Sequence, residues 1–214
     1  MKQRARLVLL ALAALLVPAA ARADDALRVY VIRHANAWKN VAPSHRPAGM
    51  SDDDLDALTP AGLAKAEQVG AELAGKGIVA VYSSPARRAQ QTAAAIAKRI
   101  GLTEPPIVAE EFRTLDSGTD KDASNGMLRM KSWKAGKDPR PPAGESLADG
   151  FARATAKLAE LRAKYPGRAI AVVTHGEIAA SLLAKAAGQD IVAGYVAHFP
   201  DEGSVHEIRF GAAR

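Results

Sequence analysis

Three places in the chain set cationic or titratable side chains at the end of a short apolar run. Val29-Tyr30-Val31-Ile32 leads into Arg33-His34, and Ile78-Val79-Ala80-Val81-Tyr82 leads into Ser83-Ser84-Pro85-Ala86-Arg87-Arg88. Ala169-Ile170-Ala171-Val172-Val173 leads into Thr174-His175-Gly176-Glu177. A guanidinium is a planar, always-charged fork that matches an oxyanion two hydrogen bonds at a time. An imidazole acts as a nucleophile only as the neutral ring, with one nitrogen free and the other held by an acceptor. Arginines and histidines brought to one place therefore suit an anion together with a nucleophile or proton carrier. Each piece alone is weak, because a charge after a strand is usually the solvated start of a loop.

The apolar runs have the length and continuity of buried parallel strands. In open α/β sheets, ligands collect beyond the carboxyl ends of such strands. The expected fold is thus α/β, a mostly parallel open sheet with helices on both faces. Thr59 caps a helix with Pro60 at its first position, and Leu63, Ala66, Val69, Gly70 and Leu73 mark its apolar face. A second helix runs from Pro85 to about Ile100, a third from Glu145 or Ser146 to about Tyr165, and a fourth from Glu177 to Ala187. Ser204 to Phe210 alternates imperfectly and predicts a short edge strand at the C-terminus. Arg87 and Arg88 point about 100° apart on a helix, so only one of them enters a site. Ser83 and Ser84 suit helix capping better than nucleophilic attack, since neither lies in a Gly-x-Ser-x-Gly elbow. The polar stretch from Ala35 to Ala57, with Asp52-Asp53-Asp54, is expected as solvated loop. Ile107 to Ala143 is the least regular stretch, and its cations Arg129, Lys131, Lys134, Lys137 and Arg140 either steer an anion or cover solvated surface.

Taken together, these stretches resemble the histidine phosphatase superfamily, in its phosphoglycerate-mutase-like branch. The resemblance rests on Arg33-His34, on Ser84-Pro85-x-x-Arg88-Ala89-x-x-Thr92-Ala93, and on Thr174-His175-Gly176, in the family's order. Thr59-Pro60-x-Gly62, Gly144-Glu145-Ser146-Leu147 and Gly203-Ser204-Val205 match as well, so it covers residues 27 to 210. It implies a nucleophilic His34 that forms a phosphohistidine, and phosphate binding by Arg33, Asn40, Arg88, His175 and Gly176. It further implies a protonated His175 acting as an electrostatic clamp. Two departures stand out. Ala35 replaces the usual glycine, and Thr114 stands where phosphatases of this branch place an acidic proton donor. Glu111, Asp116 and Glu177 are the candidate donors, the last disfavoured because a helix N-terminus favours its ionised form. The implied activity is metal- and cofactor-free hydrolysis of small phosphate monoesters. The alternatives are a phosphomutase of the same fold and a non-catalytic phosphate-binding module. A zinc site on His34 and His175 is disfavoured by two guanidiniums in the same place.

Residues Met1 to Ala23 read differently. Lys2, Arg4 and Arg6 precede an apolar run from Leu7 to Val17, and Ala21-Arg22-Ala23 has the small-x-small cleavage pattern of an export leader. The expectation is a leader over 1–23, a single domain over 24–214, and a periplasmic or secreted product that leaves no membrane anchor. The leader carries four of the chain's 29 basic residues, so the remainder sets 25 against 23 acidic ones. Such near-neutrality offers no argument for a nucleic-acid partner. The chain has no cysteine, which excludes disulfides and thiolate chemistry.

Overall fold

The computed structural model describes residues 25–119 and 126–211, with only the backbone for 126–128. The leader assigned to 1–23 lies outside the described residues. Among them, no helix is long and apolar enough to cross a membrane.

Five strands form one sheet: β1 (Leu27–Arg33), β2 (Ile78–Ser83), β3 (Ile107–Val108), β4 (Ala169–Thr174) and β5 (Val205–Phe210). Their order is β3-β2-β4-β1-β5. The first four are parallel, and β5 runs antiparallel to β1 at the edge. Side chains alternate between the faces of a strand, which splits β1 and β4 between two cores. Val29 and Val31 with Ile170 and Val172 face one way, Tyr30 and Ile32 with Ala171 and Val173 the other. Helices α2 (Pro60–Leu73) and α3 (Arg87–Arg99) cover the second face, through Val69, Leu73, Ala93 and Ile96. Helices α5 (Leu147–Lys164) and α6 (Gly176–Ala186) cover the first, through Leu158, Leu161, Ile178 and Leu182.

The helix starts follow from local chemistry. The Thr59 side chain accepts from the Gly62 N–H with Pro60 next to it, and Ser146 closes a reciprocal capping box with Asp149. Two expectations change. The Asp52-Asp53-Asp54 run is not loop but a four-residue helix, α1 (Asp52–Leu55), with Ser51 as its cap and Asp54 closing the box. Carboxylates in a first turn complement the exposed N–H groups there. The least regular stretch also holds β3 and a helix, α4 (Gly126–Lys134).

What the topology does for the site is bring ends together. Arg33 lies opposite Thr174, and Ser83 opposite Val173. The ladder continues one residue further, with the His34 N–H on the Thr174 carbonyl and the Ser84 N–H on the Val173 carbonyl, each at 2.9 Å. His34, Ser84 and His175 therefore emerge at one level, as neighbours.

Candidate active site

His34 is 4 % exposed. Its Nδ1 lies 2.9 Å from the Ala35 carbonyl, and its Nε2 lies 3.1 Å from Arg88 Nε. A carbonyl only accepts and a guanidinium only donates, so these partners assign the proton to Nδ1 and the lone pair to Nε2. Burial, then the Arg88 charge, push the His34 pKa down to about 3, with the Ala35 hydrogen bond opposing them.

The second histidine is wired the other way round. His175 Nδ1 accepts from Arg88 Nη2 at 2.9 Å, and Nε2–H donates to Ser84 Oγ at 2.7 Å. Burial, then the Arg88 charge, hold this ring well below the ordinary histidine range. In the resting site His175 is thus neutral, in contrast to the protonated clamp expected from the sequence. The two rings stand edge to face with centroids 5.2 Å apart.

Arg88 joins them. It lies in the first turn of α3, 7 % exposed, with Nε on His34, Nη2 on His175 and Nη1 on Asp56. Asp56 also accepts from Lys39 Nζ at 2.9 Å and from the Arg87 N–H at 2.8 Å. Burial works against its charge, but Lys39 and Arg88 outweigh that and hold its carboxyl below the usual range. Arg87 points away, paired with the exposed Asp53. Thr92, one turn after Arg88, donates to the Arg88 carbonyl at 2.7 Å and accepts from the Ala35 N–H at 3.1 Å. It thereby ties the loop after β1 to α3.

Arg33 is organised separately. Its guanidinium donates to the Pro200 carbonyl at 2.9 Å and to Glu202 at 3.2 Å, and it stacks 5.0 Å over the Phe199 ring. Glu202 also accepts from Asn36 at 2.6 Å, and the Asn36 amide oxygen accepts from the Thr59 hydroxyl at 3.0 Å. The segment before β5 is fastened to the site by the Gly203 N–H, which bonds the Arg33 carbonyl at 3.0 Å. Gly176 opens α6 against Phe199, where a Cβ would come within 2.4 Å of the ring.

The structure thus gathers His34, Arg88 and His175 by direct contact and sets Arg33 beside them on the same strand end. Asn40 is not among them. It sits exposed on the turn Trp38–Asn40, and no described residue bonds its side chain. Ser84 is not the helix cap expected of it, though its hydroxyl accepts from the Ala86 N–H at 3.3 Å. The α3 cap position is Ala86, without a side-chain cap, and the Ser84 hydroxyl orients His175. The candidate donors are scattered. Glu111 pairs with Lys157 at 3.5 Å, and Asp116 is exposed with its carboxylate accepting from the Gly118 N–H at 2.8 Å. Glu177 is half-buried in the first turn of α6, and Thr114 is exposed. Among the described residues, no three His, Asp or Glu side chains gather as a metal site requires. Sequence reasoning missed Asp56 and Glu202, because nothing in Asp52-Asp53-Asp54-Leu55-Asp56 or Asp201-Glu202 sets one carboxylate apart from the others, and each meets its arginine only through the fold. The one available signal for Asp56 was its place three residues before the Thr59 cap.

A family model described as the histidine phosphatase superfamily, branch 1, matches residues 29–214. A 2,3-bisphosphoglycerate-dependent phosphoglycerate mutase of Methylobacterium radiotolerans is 38 % identical over 117 residues, 49 % of this chain and 53 % of the mutase. The chain spans about half the length of that relative. Phosphoglycerate mutase-like protein 4 of Arabidopsis thaliana is 30 % identical over 172 residues, 76 % of this chain and 72 % of the relative. Among solved structures, a mycobacterial glucosyl-3-phosphoglycerate phosphatase complexed with VO3 superposes with a TM-score of 0.65 at 25 % identity, over 84 % of this chain and 90 % of that one.

Proposed function

The chain belongs to the histidine phosphatase superfamily, branch 1, and from that premise we propose that it is a phosphatase that hydrolyses small phosphate monoesters through a phosphohistidine on His34. The observation that carries this reading is the state of His34: a neutral ring with Nδ1 locked on a carbonyl and the Nε2 lone pair directed at Arg88. Phosphoryl transfer depends on positioning and on charge stabilisation at the equatorial oxygens. An arriving phosphate takes over the Arg88 donors, which leaves the Nε2 lone pair free to attack phosphorus. Arg33, which is only partly buried and has a buried Nε without a partner among the described residues, supplies the second cationic group. A dianion beside His175 favours its protonated form, so the clamp role belongs to the loaded site. Water then cleaves the phosphohistidine and returns His34 to its neutral state.

Support for phosphate monoesters as the substrate class comes from the phosphatase among the structural relatives. The phosphomutase reading is favoured by the mutase relative and differs in outcome, since a mutase moves the phosphoryl group between positions instead of releasing it to water. The leader-like residues 1–23 support an exported enzyme. Hydrolysis of nitrophenyl phosphate by the purified protein in EDTA, compared with His34→Ala, tests the proposal. Release of inorganic phosphate that depends on His34 is the expected result, and equal release by the variant contradicts it.

A further inference from the structure

Phosphate esters of ordinary alcohols leave as basic alkoxides, so a phosphatase acting on them needs a proton at the departing oxygen. Most carboxylates around the strand ends are already committed to cations. Asp56 is held by Arg88 and Lys39, Glu202 by Arg33, and Glu145 by Arg113 and Arg153. Glu111 is paired with Lys157, where it lines a groove with Ile107, Glu110 and Leu161. The Asp116 carboxylate accepts from a backbone N–H two residues on, in exposed chain.

Glu177 stands apart from these. It lies two residues past His175, is half-buried, and makes no hydrogen bond or ion pair among the described residues. It follows Gly176, which packs on the Phe199 ring that Arg33 stacks over. After burial, the Glu177 charge is the main influence raising the pKa of Tyr195, which the Arg33 and Arg129 charges oppose. The Tyr195 ring packs 5.3 Å from that of Phe199, over which Arg33 stacks. A carboxyl so placed, buried in part and bonded to no cation among the described residues, is free to meet a leaving oxygen, whereas Asp56 and Glu202 are held by arginines.

We infer that Glu177 is the proton donor to the leaving oxygen, an assignment that deepens the phosphatase reading and rests on it. As the bond from His34 Nε2 to phosphorus forms, the P–O bond to the alcohol breaks and its electron pair stays on oxygen. The Glu177 carboxyl gives that oxygen its proton, and the alcohol departs. Water then attacks phosphorus, the P–N bond breaks with its pair returning to Nε2, and the Glu177 carboxylate takes the proton of the attacking water.

The test compares glycerol phosphate with nitrophenyl phosphate in single turnovers of wild type, Glu177→Gln and Glu177→Asp, reading alcohol or phenol release. Glu177→Gln should lose about 10²-fold or more on the alkyl ester and a far smaller factor on the aryl ester, whose leaving group needs little protonation. Glu177→Asp, which keeps a carboxyl, should recover part of the alkyl rate. Equal loss on both esters, or no loss on the alkyl ester, overturns the assignment. A wild type that cleaves the aryl ester alone overturns it too while leaving the His34 mechanism standing. A wild type that cleaves neither ester overturns the phosphatase reading itself.

Discussion

Arg88 spends its donors in three directions, on His34, His175 and Asp56, and this sharing predicts how the site responds to substitution. Arg88→Ala should cost about 2–4 kcal/mol of transition-state stabilisation in kcat/KM, the scale of losing one preorganised donor. Arg88→Lys should recover little, because a single ammonium cannot reproduce the planar fork. Arg87→Ala, which touches only the far side through Asp53, should cost far less, and steady-state kinetics on one aryl ester compare all three. Asp56→Ala removes a charged acceptor and should cost about 1.5–3 kcal/mol in the same measurement. The histidines make a separate prediction about pH. His34 is held at about 3 against an ordinary 6.5, so below 6.5 the unfolded chain binds a proton that the folded chain refuses. Stability is therefore fully present above about pH 6.5 and falls as pH drops toward about 3, with His175 acting in the same direction. Chemical denaturation at stepped pH checks this, and ring NMR should show no His34 titration between pH 5 and 8.

Close approaches between elements hold these side chains in register. Gly62, in the first turn of α2, packs so closely on the loop after β1 that a Cβ would lie 2.0 Å from the Asn36 carbonyl oxygen. That oxygen is backbone and also accepts from the Thr59 N–H at 3.0 Å, so neither partner gives way. Gly62→Ala should destabilise the protein by about 1–3 kcal/mol, as overpacking does, and thermal or denaturant melting reads the loss. The Thr59-Pro60-x-Gly62 pattern foretold the start of this helix, while the reason for its glycine lay in a contact 26 residues away in sequence. The same division runs through the other elements. Helix starts at Thr59 and Ser146 were legible because a cap is a local event. The start of α3 was set two residues too early, since Pro85 and Ala86 turn into the helix while Ser84 serves His175.

At the scale of the molecule, the parallel order β3-β2-β4-β1 makes three distant stretches into neighbours. Continuous apolar runs exposed those strands in the sequence, and the residues after each run exposed His34, Arg88 and His175. Asp56 and Glu202 stayed hidden because an ion pair between residues 32 or 169 positions apart leaves no periodic trace. The fold supplies their partners, and neighbouring carboxylates in a polar stretch look alike until it does. With no cysteine in the chain, no disulfide ties the strand ends together, and the chemistry depends on the sheet register itself. The account stands on one covalent bond, between phosphorus and His34 Nε2. The direct measurement is rapid acid-free quenching of the protein during turnover of a phosphate ester, followed by mass mapping of the phosphorylated residue. An acid-labile, base-stable phosphate on His34, absent from His34→Ala, is the predicted result. A label on Ser84 or on any other residue, with His34 unmodified, would contradict the account.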